Sequence, residues 1–373
     1  MADNTPIEWT DATWNPITGC SVTSPGCTNC YAMKLAGTRL AQHPSRAGLT
    51  HDTKAGPVWT GEVRFNEQWL DQPLRWRRPR KIFVCAHGDL FHESVPDAWI
   101  DRVFAVMAGS PQHTFQVLTK RAARMREYLT RLPQRISDWN CDSGLDFIGL
   151  PLANVWLGVS VEDQARADER IPDLLATPAA VRFISAEPLL GPVNIEPWLN
   201  PDAFCQGCDD GEGYGNRCSS DAIPRDEQCP WKRAIQHTVE HGPFSHDGEP
   251  SAITCDVIKL DWVIAGGENG PRPMHPDWAR SLRDQCAAAG VPFLFKHWGE
   301  WEVAIDRDRD DPDWRADYSN TYVDHGQTKW LNLKGGCGFH GERFVVMRRV
   351  GKKRAGRLLD GVEHNGFPEV RHG

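Results

Sequence analysis

Residues 114–121 read TFQVLTKR: six strand-forming residues are followed by a lysine and an arginine. Short apolar runs of the same kind recur along the chain, at residues 81–86, 154–160, 181–185, 260–265 and 291–296. Amphipathic segments between them predict helices near residues 96–108, 121–132, 162–176 and 276–289. This alternation is typical of a parallel sheet covered by helices. With one more strand before residue 20, the sequence predicts an α/β fold, a full or partial (β/α) barrel of about six strand–helix repeats.

Polar side chains follow the predicted strands, at the point where each strand ends. They are His87, Asp89, His92, Thr119, Lys120, Arg121, Ser160, Glu162, Ser185, Glu187, Gly266, Gly267, Glu268, Asn269, Lys296, His297 and Trp298. Six such strand ends favour a central pocket over the single crevice of an open, doubly wound sheet. Within that pocket, Asp89, His92 and Lys120 are the candidate catalytic residues, because loop ends crowded with ionisable groups usually serve a function.

Three cysteines near the start of the chain, Cys20, Cys27 and Cys30, have the spacing Cys-x6-Cys-x2-Cys. Three thiolates can hold a four-iron [4Fe-4S] cluster with one iron open, and S-adenosylmethionine needs such an open iron in radical enzymes. The spacing differs from the commoner x3, x2 pattern of those enzymes. Zinc with His43 or His51 as a fourth ligand, or buried free thiols, are the alternatives that it leaves open.

A second set of cysteines interrupts the strand–helix pattern. It comprises Cys205, Cys208, Cys218 and Cys229, in a stretch rich in Gly and Asp at residues 200–255. That stretch has too few apolar residues to fold alone, and a zinc ion or a second iron–sulfur cluster would supply the missing stability. We therefore expect a barrel over residues 1–301, interrupted by this metal-binding insertion, and a C-terminal extension over residues 302–373.

Composition limits the class of protein. The chain has 373 residues, a formal net charge of -8 and twelve cysteines. A negative net charge argues against a general polyanion binder, although the basic stretch at residues 75–81 leaves a local nucleic-acid contact open. No apolar run approaches the roughly 20 residues that span a bilayer, and no secretion signal is visible. We therefore expect a cytoplasmic protein without a membrane partner, whose cysteines serve metal or redox chemistry rather than disulfides.

Several short motifs together resemble one known family. They are IEWT (residues 7–10), WNP (14–16), CYA (30–32), DLFHE (89–93), QVLTKR (116–121), WLGVS (156–160), EPLLGP (187–192) and GGE (266–268). They resemble the phage three-Cys-motif family, whose members have no assigned function. That family is similar in turn to the radical S-adenosylmethionine superfamily in its cysteine motif and partial barrel. The resemblance runs from about residue 7 to residue 301.

The resemblance implies which residues bind the cofactor. The three cysteines of the first loop would ligate the [4Fe-4S] cluster, and Tyr31 would pack beside it and shield it from solvent. Gly266, Gly267 and Glu268 would contact the methionine amino group of S-adenosylmethionine. Glu187 or Glu162 would hydrogen-bond the ribose.

The sequence leaves three functions open. The first is a radical S-adenosylmethionine enzyme with an unknown substrate and a partner protein or reductase. The phage resemblance and the rim residues Lys120 and Arg121 indicate a nucleotide or nucleic-acid base as substrate. The second is a zinc-stabilised nucleic-acid-binding or interaction protein without catalysis. The third is a hydrolase that uses Asp89, His92 and Glu187 around a metal.

Overall fold

The computed structural model describes residues 5, 7–143, 150–200, 258–308, 310, 327–336 and 343–369. The described strands are β1 (Ala12–Trp14), β2 (Ile17–Thr18), β3 (Thr50–Thr53), β4 (Gly56–Trp59), β5 (Arg64–Phe65), β6 (Lys81–Val84), β7 (Thr114–Thr119), β8 (Val155–Ser160), β9 (Val181–Ala186), β10 (Trp262–Ala265), β11 (Phe293–Phe295), β12 (Trp301–Asp308), β13 (Thr328–Leu331) and β14 (Arg343–Arg349). The described α-helices are α1 (Tyr31–Gly37), α2 (Gln72–Arg75), α3 (Asp97–Ala108), α4 (Ala122–Ser143), α5 (Gln164–Leu175), α6 (Glu196–Leu199), α7 (Pro276–Ala289) and α8 (Lys352–Ala355). Short 3₁₀ turns lie at Pro25–Cys27 and Glu67–Trp69.

Seven strands form one parallel sheet whose order in space follows the chain: β1-β6-β7-β8-β9-β10-β11. Helices α3, α4, α5 and α7 connect successive strands of this sheet, as parallel neighbours require. The predicted α/β fold is therefore confirmed. The sheet is a curled half-barrel flanked by helices, so the partial form of the predicted barrel is the correct one.

The curl of the sheet is visible in the contacts of Trp9. The centroid of its ring lies 4.7 Å from the ring of Phe83 in β6 and 6.3 Å from the ring of Trp262 in β10. In a flat sheet, β6 and β10 would lie about 19 Å apart. The sheet therefore wraps around a cluster of buried residues, which are Trp9, Phe83, Ala86, Trp156, Val181, Phe183, Trp262, Ile264 and Leu294.

The inner face of the sheet changes from aromatic to polar along β8. In β8, Leu157 packs with the helices outside the sheet, while its neighbour Trp156 belongs to the inner cluster. Gly158 follows on the inner face, and a Cβ there would lie 2.4 Å from the ring of Phe183. Ser160 ends the strand. Aromatic rings thus fill the amino-terminal half of the half-barrel, and polar groups gather at its carboxyl end.

After the barrel, the chain forms a small antiparallel sheet in the order β12-β14-β13 and then returns to the barrel. Trp262 donates its indole N–H to the carbonyl of Gly366 at 2.7 Å. The ring of Phe367 lies 5.0 Å from the ring of Trp262 and 3.9 Å from Nζ of Lys81 in β6. The returning segment therefore reaches from the β10 side of the half-barrel to its opposite side.

Candidate functional site

The first cysteine is placed beside the end of β6. Gly19 donates its backbone N–H to the carbonyl of His87 at 3.2 Å, and it forms a parallel bridge with Gly88. Gly19 has a φ of +95°, and a Cβ there would lie 2.2 Å from the carbonyl oxygen of Glu62. Only glycine fits this turn. Cys20 is therefore the residue directly after a backbone bridge to the chain that follows β6, at the carboxyl end of the sheet.

A buried carboxylate at the end of β8 holds the cysteine loop. Glu162 accepts the backbone N–H of Gly26 at 3.2 Å, and its other oxygen contacts Nζ of Lys120 at 3.1 Å and Nη1 of Arg170 at 3.0 Å. Burial would raise the pKa of Glu162. The charges of Lys120 and Arg170, with hydrogen bonds from Ser24 and Gly26, outweigh burial and lower this pKa to about 2. The carboxylate is therefore ionised, and it joins three parts of the chain.

A second carboxylate, at the end of β10, holds the other side of the same loop. Glu268 accepts the side-chain amide of Asn29 at 2.9 Å and an N–H of Arg272 at 2.9 Å, and Arg272 also contacts its second oxygen. Arg272 in turn donates to the carbonyl of Pro25 at 3.0 Å. Gly267 precedes this carboxylate, and a Cβ there would lie 2.3 Å from a backbone oxygen of Trp298. The Gly266-Gly267-Glu268 element thus touches the cysteine loop.

An arginine at the end of β7 reaches the first thiol. Arg121 is buried, and its Nη1 lies 3.4 Å from Sγ of Cys20 and 3.0 Å from Oδ2 of Asp89. Its Nη2 donates to the hydroxyl of Ser21 at 2.7 Å, and its Nε contacts Glu93 at 3.2 Å. The guanidinium is therefore fixed on all sides next to Cys20.

The three thiols influence one another electrostatically. Burial, together with the nearby charge of Asp89, raises the pKa of Cys20 to about 12, and burial also raises the pKa of Cys30. For Cys27, burial acts in the same direction, but the charge of Lys120 and backbone hydrogen bonds outweigh it and lower its pKa. The charge of Cys30 acts on Cys20, and the charge of Cys27 acts on Cys30. One of the three thiols is thus predisposed to be a thiolate.

The donor atoms on this loop are of the type that iron–sulfur clusters use. Cys20, Cys27 and Cys30 are free thiols, and the side chains of Cys20 and Cys30 pack against an apolar cluster that includes Leu49 and Trp59. Soft thiolates with apolar shielding and nearby cations suit such a cluster, which takes one thiolate per iron. Within the described part of the chain, no three or more His, Cys, Asp or Glu side chains form a group that could hold a metal ion.

Of the two histidines predicted as fourth zinc ligands, His43 makes other contacts. Nδ1 of His43 pairs with the hydroxyl of Ser45 at 2.7 Å, and its ring lies 6.0 Å from the ring of Trp69. His51 is exposed on β3.

Asp89 and His92, two predicted catalytic residues, are both buried in this network. Asp89 accepts the hydroxyl of Thr119 at 2.7 Å and the backbone N–H of Lys120 at 3.2 Å, besides its contact with Arg121. His92 places Nε2 3.0 Å from the hydroxyl of Ser21, and burial lowers its pKa. Lys120, the third predicted catalytic residue, is paired with Glu162. These residues hold the site together as the structure stands.

Glu187 follows the end of β9, and Tyr31, the first residue of α1, reaches the chain just after β6. Glu187 accepts from Nζ of Lys296 at 2.7 Å and lies 3.5 Å from Nε2 of His297. Burial raises the pKa of Glu187, but these two neighbours and Lys352 lower it overall. Tyr31 is exposed, and its hydroxyl donates to the carbonyl of Ala86 at the end of β6 at 2.7 Å.

The sequence did not single out the side chains that complete the two carboxylate clamps. Arg170 lies eight residues after Glu162, and Arg272 lies four residues after Glu268. In both cases the arginine lies on the helix or turn that follows the carboxylate. These short spacings were the signal in the sequence that could have indicated the two ion pairs. The second cysteine set, Cys205, Cys208, Cys218 and Cys229, lies outside the described residues.

Comparison with known proteins assigns a family. Residues 4–368 match the model of the family described as protein of unknown function (DUF5131), so the chain belongs to that family. No curated protein and no solved structure matches the chain. Among the described helices, none combines the length and the apolar character that a membrane span needs.

Proposed function

We propose that this protein is a radical S-adenosylmethionine enzyme whose [4Fe-4S] cluster is held by Cys20, Cys27 and Cys30. Such a cluster, when it binds S-adenosylmethionine at its open iron, supplies the electron that releases a 5′-deoxyadenosyl radical, which then abstracts hydrogen from a substrate. The observation that carries the proposal is that three free thiols lie on one loop, which buried carboxylates clamp to the carboxyl end of a half-barrel. Chemistry in parallel α/β folds is placed at that end.

The charges around the loop support the same proposal. Three thiolates and a reduced cluster carry net negative charge, which needs compensation in a buried site. Lys120 and Arg121, consecutive residues at the end of β7, contribute positive charge: Lys120 acts on Cys27 and Arg121 on Cys20. Carboxylates hold both cations, Glu162 holding Lys120 and Asp89 holding Arg121, so the two side chains stay beside the thiols.

The cofactor-binding roles of the remaining rim residues belong to the proposal. Gly266 and Gly267 would allow S-adenosylmethionine to approach the backbone, and Glu187 would accept a hydrogen bond from its ribose. In Glu268 both oxygens already contact Arg272 or Asn29, so this carboxylate would serve chiefly by holding the cluster loop.

The substrate, partners and location are proposed from the sequence and its family resemblance. They are a nucleotide or nucleic-acid base as substrate, a reductase or partner protein as electron source, and a host cytoplasm if the chain is phage-encoded.

We also propose that Cys205, Cys208, Cys218 and Cys229 bind zinc or a second cluster. A loss of one metal from Cys205→Ala/Cys208→Ala protein, with the other retained, would separate this set from the first loop.

The test is metal analysis and an assay for 5′-deoxyadenosine after anaerobic reconstitution with iron and sulfide. We expect Cys27→Ala to lose about four iron atoms and all 5′-deoxyadenosine formation. Cys286→Ala is the matched control, since this buried free thiol lies on α7 in the outer core and should leave both unchanged. A protein that carries only zinc and binds nucleic acid with a steep salt dependence would instead support the non-catalytic alternative.

A further inference from the structure

The guanidinium of Arg121 is aimed at one sulfur atom. Its Nη1 lies between Sγ of Cys20, at 3.4 Å, and Oδ2 of Asp89, at 3.0 Å. An N–H donor at this distance from sulfur forms a hydrogen bond, and the positive charge strengthens it. Among the hydrogen bonds to the described thiols, this is the one donated by a charged side chain.

The surrounding contacts leave the guanidinium no second position. Nη2 is bonded to the hydroxyl of Ser21, which is itself bonded to Nε2 of His92 at 3.0 Å. Nε contacts the carboxylate of Glu93. Asp89 is held in turn by the hydroxyl of Thr119 and the backbone N–H of Phe91, at 2.7 Å and 3.0 Å. A planar guanidinium whose donor groups are all bonded is held in one orientation, so it is preorganised to donate to Cys20.

The hydrogen bonds to Cys27 differ in kind. Cys27 has the hydroxyls of Thr23 and Ser24 at 3.8 Å and 3.9 Å, both neutral and both longer. Lys120 acts on Cys27 through its charge, and its Nζ is bonded to Glu162. The three sulfur positions are therefore electrostatically unequal, and Cys20 has the charged donor.

We propose that Arg121 is a positioning residue that sets the reduction potential of the cluster through its hydrogen bond to Cys20. This inference rests on the proposed function. A hydrogen bond to a ligating sulfur withdraws electron density and favours the reduced, more negative state. Asp89 opposes this effect, because a negative charge that acts on Cys20 disfavours the more negative, reduced state. Arg121 and Asp89 therefore shift the potential in opposite directions.

The test is a potentiometric titration of the reconstituted cluster, followed by electron paramagnetic resonance (EPR). In Arg121→Gln protein we expect the ratio of reduced to oxidised cluster at a fixed potential to fall about tenfold, which corresponds to about 59 mV for one electron. The ratio in Arg121→Lys protein should lie between those of Arg121→Gln and the wild type, since lysine keeps the charge and lacks the planar guanidinium. Asp89→Asn should raise the ratio.

The matched control is Arg124→Gln. Arg124 lies one turn further along the chain on α4, and it bonds to the carbonyl of Val95 and to Asp97 instead of a thiol. The Arg124→Gln variant should leave the ratio of reduced to oxidised cluster unchanged. Iron content is measured for every variant, so that a change in potential is read only from loaded protein.

Each other outcome overturns part of the account. If both Arg121 variants load a full cluster and titrate like the wild type, the inference about Arg121 is wrong and the proposed function stands. If both lose the cluster while Arg124→Gln keeps it, Arg121 retains the cluster and does not set its potential. If wild-type protein takes up no cluster, both proposals fail.

Discussion

The backbone N–H of Gly26 lies 3.2 Å from Oε1 of Glu162, a residue 136 positions further along the chain. A Cβ at residue 26 would lie 3.1 Å from the Glu162 carboxyl group and from Nζ of Lys120. The absence of a side chain at Gly26 thus lets the loop approach the carboxylate closely. One buried carboxylate thereby fixes the distance between the cysteine loop and the ends of β7 and β8.

Replacing this carboxylate should destabilise the protein strongly. Glu162→Gln leaves Lys120 and Arg170 without their shared negative partner in a buried site, and we expect a loss of about 3 kcal/mol in the free energy of unfolding. Urea denaturation measures it. Glu169→Gln is the control, because Glu169 is exposed and lies 3.9 Å from the same Arg170; its effect should stay below about 0.5 kcal/mol. Equal effects of the two variants would contradict the role given to Glu162.

The inner aromatic packing depends on the missing side chain at Gly158. A Cβ there would lie 2.4 Å from the Phe183 ring, so Gly158→Ala should cost about 1–3 kcal/mol of stability. Gly191→Ala is the control, since its Cβ would meet its nearest neighbour at 3.7 Å. Phe183→Leu combined with Gly158→Ala should recover part of the loss in a double-mutant cycle. Additive effects in that cycle would show that the two residues do not compete for space.

Acid should destabilise the protein through His297. Burial lowers the pKa of His297 to about 4, although the charge of Glu187 acts in the opposite direction. As the pH falls from about 6.5 towards 4, the unfolded chain takes up this proton before the folded one, so the free energy of unfolding falls by about 1.4 kcal/mol per pH unit. His297→Asn, measured by urea unfolding from pH 7 to pH 4, should show a shallower loss than the wild type. His51→Asn, at an exposed position on β3, should follow the wild type throughout; a His297→Asn curve parallel to both would contradict the prediction.

Much of the sheet could be predicted because apolar residues are spaced differently in buried parallel strands and in amphipathic helices. The strand predicted at residues 114–119 is β7, and the helix predicted near residues 276–289 is α7. Helix α4, by contrast, extends to Ser143, beyond the predicted end near residue 132. A proline stands inside it at position 133, which is a stop signal that the surrounding helix overrides.

The clamps of the site could not be predicted, because they join residues far apart in sequence. The pattern of polar residues at strand ends correctly indicated that Lys120, Glu162 and Glu268 share one rim. It did not indicate that Glu162 accepts a hydrogen bond from Gly26 or that Glu268 accepts one from Asn29. Which cation meets which carboxylate depends on how far the sheet curls, and strand count alone does not determine this.

The central claim is that the three cysteines hold a cluster with one open iron. The most direct measurement is the EPR spectrum of the dithionite-reduced, reconstituted protein, recorded without and with S-adenosylmethionine. We predict a reduced [4Fe-4S] signal that changes shape when S-adenosylmethionine is added, and that is absent from Cys20→Ala, Cys27→Ala and Cys30→Ala proteins. A spectrum without a cluster signal, or a signal that persists unchanged in all three variants, would contradict the account.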